Sequence, residues 1–435
     1  MDFDAIIVGA RCAGSPTAML LARKGYRVLL LERAAFPSDT MSTHYIHQPG
    51  VARLARWGLR DRVAALACPP ISTARLDTGS FVLTGSTAVE GSEGDAYAPR
   101  RALLDKILSD AAVEAGAELH ESFLVEDVLT DGARVTGVRG RGRSGSTVTL
   151  RAPMIIGADG LRSVVARAVK AFVYKARPAF TCAYYSYWSG VPVEGAEVYL
   201  RPRRIVSAWP TDGGLTLIFV AAPNGEFRKF RASVETNYLE TIAQIRGLDA
   251  RVRGGRRVER ISGTADLPNL FRKPYGSGWA LVGDAGYHKD PITAQGITDA
   301  FRDAELLAEA IDEGFGGRQP FEAALAGYER ERNRAVRAMY WFTCHFASRL
   351  MPPGGLPLLN ALRGNQAETN RLFAMLAGTT PIHSFFSPSN LLRLFVTGYL
   401  SPKVAADTGF RPKKVAPKKV VPIAETGARR SEDAR

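Results

Sequence analysis

Ala5-Ile6-Ile7-Val8 is a short run without a polar position, the pattern of a strand covered on both faces in a parallel sheet. Gly9 ends it. From Ser15 to Lys24 the apolar residues Ala18, Leu21 and Ala22 keep helical spacing, Pro16 suits a first turn, and Gly25 stands where a left-handed cap is needed. Val28 to Leu31 is a second unbroken apolar run. Strand, glycine turn, helix and strand thus fill about thirty residues, the size of one βαβ unit.

The same buried-strand pattern returns twice. Met154-Ile155-Ile156 runs into Gly157-Ala158-Asp159-Gly160, and Ala280-Leu281-Val282 opens Gly283-Asp284-Ala285 ahead of a helix from about Gly296 to Ile311. Between these stretches the pattern alternates. Arg75 to Leu83 reads as antiparallel strands, Phe123 to Val138 as two strands around Asp131-Gly132, and Phe180 to Ala222 as sheet turning at Asp212-Gly213-Gly214. Arg101 to Ala115 is helical in spacing. Phe321 to Leu400 is mainly helical, broken at Pro352-Pro353-Gly354-Gly355 and near Pro381 and Pro388. The expected architecture is α/β. A parallel-sheet domain draws on residues 1–71, 98–171 and 271–335, and an interleaved antiparallel-sheet domain on 72–97 and 172–270. A helical region, 336–400, and a tail, 401–435, complete the chain.

Three segments carry chemistry. Gly9-Ala10-Arg11-Cys12-Ala13-Gly14, with Glu32 and Arg33 closing the next strand, is a glycine turn ahead of a helix. Such a turn lets backbone approach a diphosphate, whose charge meets the free N–H groups of the helix start, while the acidic residue accepts from ribose hydroxyls. Arg11 occupies the middle position of G-x-G-x-x-G, so its side chain must turn away from the phosphates or lie along them. The second segment, Asp159-Gly160-Leu161-Arg162-Ser163 through Arg167, is D-G-x-x-S-x-x-x-R directly after a buried strand; alone it is also a plain turn. The third is Gly283-Asp284, then Pro291 and Gly296, again after a buried strand. An aspartate there can bind a polyol hydroxyl, and N–H groups near Gly296 and Ile297 can stabilise negative charge on a reduced ring.

Composition narrows the partners. Lys+Arg 57 against Asp+Glu 43 gives a net charge of +14 over 435 residues. Residues 401–435 hold nine Lys or Arg and four Asp or Glu, a surplus of five, leaving nine for the rest. With stretches such as Pro412-Lys413-Lys414, this tail is expected to be disordered. The remaining surplus, in doublets such as Arg203-Arg204, reads as a solvated surface that draws in anionic ligands. No zinc spacing or nucleic-acid motif is present, so neither metal nor nucleic acid is expected. Cys12, Cys68, Cys182 and Cys344 form no pair motif, which fits a reducing cytoplasm. No apolar run approaches membrane-spanning length, and Leu391, Leu392 and Phe395 with the basic tail allow at most weak membrane-surface contact.

Taken together, the three turns in this order, with the Arg101-Ala102-Leu103-Leu104-Asp105 helix between them, resemble the FAD-dependent monooxygenases of the para-hydroxybenzoate hydroxylase type and their relatives, the geranylgeranyl reductases and flavin-dependent halogenases. The resemblance covers roughly residues 3 to 335. It implies a Rossmann-like FAD-binding domain beside the antiparallel substrate domain. In it, Gly9 to Gly14 and Glu32 hold the ADP half, Arg101 contacts the pyrophosphate region and Val125 touches adenine. Asp159 supports the cofactor and a transient NADPH or NADH, Asp284 binds the ribityl or pyrophosphate, and Pro291 and Gly296 line the isoalloxazine. His44, in Asp39-Thr40-Met41-Ser42-Thr43-His44, and His288, beside Pro291, are candidate proton relays near neutral pH; the plainer reading of Ser42, Thr43 and His44 is a helix cap. Tyr185 and Tyr187 share one strand face and Tyr184 and Trp188 the other, so one pair should face the flavin; Trp209 is a further candidate wall.

The expected activity is NAD(P)H-dependent hydroxylation of a small, largely apolar or aromatic molecule through a flavin C4a-hydroperoxide. Isoprenoid double-bond reduction is the main alternative, and a non-catalytic flavin-binding or membrane-surface protein the second. Halogenation is disfavoured because no W-x-W-x-I-P segment occurs.

Overall fold

The computed structural model describes residues 3–87, 95–351 and 354–400, with 399 and 400 by backbone alone, so the basic tail lies outside the described residues. Six strands form a sheet in the order Tyr275–Gly276, Trp279–Leu281, Met154–Gly157, Ala5–Val8, Val28–Glu32, Glu118–Glu121. All neighbours are parallel except the pair at the Tyr275 edge. Ala5 stands opposite both Val28 and Met154, and Trp279 opposite Ile155. The three apolar runs are therefore adjacent strands whose C-terminal ends lie side by side.

Both faces of this sheet are covered, which is why these strands tolerate no polar position. Ile7, Leu30 and Ile156 pack with Leu21, Leu104, Leu108, Phe301 and Leu307 of the helices Gly14–Arg23, Arg101–Glu114 and Gly296–Phe315. Ile6, Val8, Leu29, Leu31 and Ile155 pack with Phe123, Val125, Val135 and Val138 beneath a three-stranded sheet formed by Leu124–Asp131, Arg134–Arg141 and Thr147–Arg151. Each fully buried Leu or Ile contributes about 1.5–3 kcal/mol.

The second large sheet has eight strands. Arg256–Arg257, Thr181–Ser189, Leu215–Pro223, Arg204–Pro210, Ala196–Arg201, Thr73–Asp77 and Val82–Ser86 run in that order, with Ser262–Thr264 also on Thr181–Ser189. Its pairings are antiparallel except Ala196–Arg201 with Thr73–Asp77, which is parallel. One face, with Tyr185, Tyr187, Trp209, Leu217 and Phe219, packs against Leu359, Leu372, Phe373 and Phe385 of the C-terminal helices. Those helices are Gly355–Ala361, Gln366–Ala377, Ile382–Phe385 and Pro388–Leu400.

The opposite face, with Tyr184, Trp188, Val206, Ile218 and Val220, is covered by the helices Phe227–Ala232, Val234–Ala243 and Arg246–Gly254 through Phe230, Tyr238, Ile242 and Leu248. The sequence reading did not foresee these three helices. A third sheet, Val173–Arg177, Asn269–Arg272 and Tyr287–His288, packs against the long helix Phe321–Arg349 through Phe271, Tyr287, Val336 and Tyr340. Among the described residues no helix is long and apolar enough to cross a membrane.

Candidate functional site

The three glycine turns touch one another at the C-terminal ends of the adjacent strands, where open parallel sheets bind their ligands. Gly9 has φ +101°, and a Cβ there would lie 2.6 Å from the Ala158 carbonyl oxygen. Gly283 has φ +60°, and a Cβ there would meet the Ala13 Cβ at 2.8 Å. The first turn thus leans on the second through Gly9 and on the third through Ala13. Any side chain at either glycine would close the gap. Gly9 N–H donates to Leu31 O at 2.7 Å, which aims the turn across the second strand.

Glu32, 4% exposed, fixes that geometry. Its Oε2 accepts the Ala10 N–H at 2.9 Å and its Oε1 the Ala34 N–H at 3.0 Å. Each oxygen keeps a second lone pair for a ribose hydroxyl. Arg33 follows, exposed, and Val125 is buried with Val8 and Leu31 under the strand ends.

Arg11 turns away from the glycine turn. Its Nη1 donates to Asp105 Oδ2 at 2.7 Å and to Ser38 O at 3.1 Å, its Nη2 to Ser38 Oγ at 2.9 Å, and it sits over the Phe36 ring. Asp105, with no exposed surface, also accepts from Arg101 Nε at 3.0 Å and from Cys12 Sγ at 3.3 Å. Burial pushes the Cys12 thiol up, so it stays protonated and donates. Asp105 is a functional residue that the sequence reading missed. Its signal was present: a carboxylate four residues after Arg101 on the buried side of an otherwise apolar helix face.

The second and third turns share a different clamp. Arg272 donates from Nη1 to Ala285 O at 2.8 Å and from Nη2 to Leu161 O at 2.9 Å, so one guanidinium holds both loops. Asp159 Oδ2 accepts the Val164 N–H at 2.6 Å, while its Oδ1 is buried without a partner, and burial raises its pKa. Asp284 is exposed, and its charge acts on both Arg101 and Arg272. Asp290 caps the turn Pro291–Thr293 by accepting the Ile292 N–H at 3.2 Å. The helix Gly296–Phe315 then opens with Gly296 exposed and Ile297 buried. Three abutting turns, a helix start, an orphaned buried carboxylate oxygen and flanking arginines fit a dinucleotide with its diphosphate at the centre.

His44 stands differently from expectation. His44 has no exposed surface, and burial pulls its pKa down to about 3, so it is neutral throughout the physiological range and not poised near pH 7. Its Nε2 is hydrogen-bonded to the Tyr187 hydroxyl, and its ring stacks on Tyr187 and meets Tyr185 edge-on. It does not cap a helix: Ser42 Oγ accepts the His44 N–H at 3.0 Å, and the helix Gln48–Trp57 begins after His47 with no side-chain cap. His288 is tied through Nδ1 to the Pro268 carbonyl beside its strand pairing with Leu270.

Tyr185 and Tyr187 lie on the sheet face bearing His44, while Tyr184 stacks on Phe230 at 4.1 Å on the other. Trp209 meets Tyr45 edge-on, and Tyr45 lies against His47. His44 Nδ1, His47 Nδ1, Gln48 Oε1 and Trp209 Nε1 are all buried without partners. The loop bearing His44 and His47, the helix start at Gln48 and the strand Arg204–Pro210 therefore present four unsatisfied polar atoms in an aromatic wall. The sequence reading reached His44 and Trp209 and missed Tyr45, His47 and Gln48.

The chain matches the family described as FAD binding domain over residues 2–343. It is 31% identical over 335 residues to digeranylgeranylglycerophospholipid reductase 2 of Methanothermobacter thermautotrophicus, covering 72% of this chain and 80% of that one. It is 27% identical over 327 residues to the digeranylgeranylglycerophospholipid reductase of Methanosarcina mazei, covering 72% and 75%. Among solved structures, the myxobacterial chondrochloren halogenase CndH, FAD-dependent, shares the fold with a TM-score of 0.75 at 23% identity, over 91% of this chain and 96% of that one.

Proposed function

Since the chain belongs to the FAD binding domain family, we propose that it is an FAD-dependent reductase of carbon–carbon double bonds in a long isoprenoid chain, with NADPH or NADH as electron donor. The observation that carries this reading is the apolar roof: Leu359, Leu372, Phe373, Phe385 and Leu394 of the C-terminal helices lie over the sheet face of Tyr185, Tyr187, Leu217 and Phe219. A hydrocarbon chain has no polar group to satisfy, and apolar side chains such as these suit it. The reductases of digeranylgeranylglycerophospholipid, similar over most of their length, support the same substrate class.

Bound FAD supplies the two-electron chemistry between nicotinamide and alkene. The glycine turns and Glu32 would hold its diphosphate and ribose, and Asp159 and Asp284 would take its remaining hydroxyls. N–H groups at the start of the helix Gly296–Phe315 would offset negative charge on its ring. The aromatic wall and its roof exclude water. Burial keeps His44 neutral and pushes the Tyr187 hydroxyl far up, so Tyr187 holds its proton in that wall with His44 Nε2 as partner.

The wall of Tyr45, Tyr185, Tyr187 and Trp209 favours a second reading, hydroxylation of a planar aromatic molecule. One experiment separates them. The FAD-loaded protein is reduced anaerobically with NADPH and given digeranylgeranylglycerophospholipid; a mass gain of two hydrogens per double bond is expected. No mass gain, together with reoxidation in air that small aromatics accelerate, would replace the reductase with the hydroxylase.

A further inference from the structure

On the helix-covered face of the eight-stranded sheet lies a cavity of about 510 Å³. Arg75, Asp77, Glu197 and Arg201 come to it from two neighbouring strands, and Arg246 and Arg251 from the helix Arg246–Gly254. Along those strands Ala74, Leu76, Ala196 and Leu200 alternate with the lining residues and belong to the core that holds Tyr185 and Tyr187. The cavity is therefore on the other side of the sheet from the aromatic wall.

Four arginines meet two carboxylates. Arg201 Nη1 lies 3.0 Å from Asp77 Oδ1. Arg251 grips Glu197 with both terminal nitrogens, at 3.1 and 2.7 Å, and donates to the Tyr199 hydroxyl at 2.8 Å. Those two pairs neutralise each other. Arg75, its side chain 42% exposed, shares the Asp77 carboxylate through a looser ion pair at 3.7 Å, and its Nε has no hydrogen-bond partner. Arg246 has no ion pair among the described residues and opens its helix together with Gly247, which also lines the cavity. Four guanidinium groups against two carboxylates leave the border of this half-open cavity with a surplus of two positive charges, beside a helix start.

We propose that this cavity binds a small, non-aromatic phosphomonoester. A dianion matches the surplus of two positive charges, and a guanidinium fork matches phosphate oxygens in geometry. The one ring in the lining, Tyr199, is itself buried, so a nucleobase would have no face to stack on. The inference is independent of which flavin reaction the protein performs.

The test titrates the full-length FAD-loaded protein with glycerol 3-phosphate by calorimetry, at constant ionic strength set with chloride. Saturable one-to-one binding is expected, tighter than that of inorganic phosphate, with no gain in sedimentation with phosphatidic acid vesicles. Arg246→Met, at an exposed helix start, and Arg75→Met should each weaken binding about tenfold or more while FAD content stays unchanged. The proposal is overturned by an absence of saturable heat, by equal binding of inorganic phosphate, by vesicles bound in place of the soluble ester, or by an unchanged Kd in Arg246→Met.

Discussion

Asp105 Oδ2 accepts a 2.7 Å hydrogen bond from Arg11 Nη1, and this pair explains how the glycine turn survives an arginine at its middle position. The side chain is drawn off the turn by a carboxylate that also holds Arg101 and Cys12. Removing the carboxylate leaves buried positive charge uncompensated, which costs about 3–5 kcal/mol. Asp105→Ala is expected to melt far below the parent, Asp105→Asn less so. Arg11→Gly should keep FAD affinity within about tenfold, since the side chain faces Asp105 and Ser38. Loss of FAD from a folded Arg11→Gly protein would mean that the guanidinium touches the cofactor.

Arg272 spans the loops of the second and third turns. Lysine cannot reproduce the fork. In Arg272→Lys the helices should persist by circular dichroism while FAD dissociation speeds up about tenfold or more, read from the recovery of flavin fluorescence. Unchanged release would leave the clamp without a part in retention.

Asp284 is exposed at the end of the third buried strand, beside Arg101 and Arg272. Asp284→Ala should purify with clearly less flavin absorbance per protein and take up added FAD more weakly. A variant as yellow as the parent would count against its contact with the cofactor.

His44 gives the fold an acid limit. Its pKa falls to about 3 through burial, whereas the unfolded chain takes up the proton near 6.5. The native state is therefore favoured fully above pH 6.5, and the contribution is lost as pH falls toward 3, by about 5 kcal/mol in all. His47, lowered to about 4, acts in the same sense. Urea midpoints of His44→Asn should decline less steeply than the parent's between pH 6.5 and 4; parallel curves would refute the assignment.

Asp290 acts with the opposite sign. Burial raises its pKa to about 6, against about 3.9 unfolded. Its contribution is complete below about pH 4 and is lost as pH rises through 6, about 3 kcal/mol across the window. Asp290→Asn keeps an acceptor for the Ile292 N–H, so it should equal the parent at pH 4 and exceed it in stability at pH 8. Denaturant titration at the two pH values checks this.

The α/β fold was legible because each apolar run with its glycine turn is a local signal. Alternation around Tyr184 to Trp188 assigned two faces to one strand before any partner was known. The helices Phe227–Ala232, Val234–Ala243 and Arg246–Gly254 were harder to read. They are short, and charged or polar residues interrupt their few buried positions, Phe230, Tyr238, Ile242 and Leu248. The partners of Arg272 and Asp105 escaped for another reason: Leu161 and Arg11, which they hold, lie more than ninety residues away, a relation no local pattern encodes. The pH behaviour ascribed to His44 failed because depth of burial, not residue type, sets the charge of an imidazole.

The parallel pairing of Thr73–Asp77 with Ala196–Arg201 has a consequence for how the chain is made. The early hairpin emerges from the ribosome about 120 residues before its neighbour, a wait of about 6–24 seconds at roughly 5–20 residues per second. Through that interval one margin of Thr73–Asp77 offers bare amide and carbonyl groups to any other nascent polypeptide. Yield on overexpression should consequently depend on holdase chaperones and on growth temperature, and the partner that closes the margin arrives only with the middle third of the molecule.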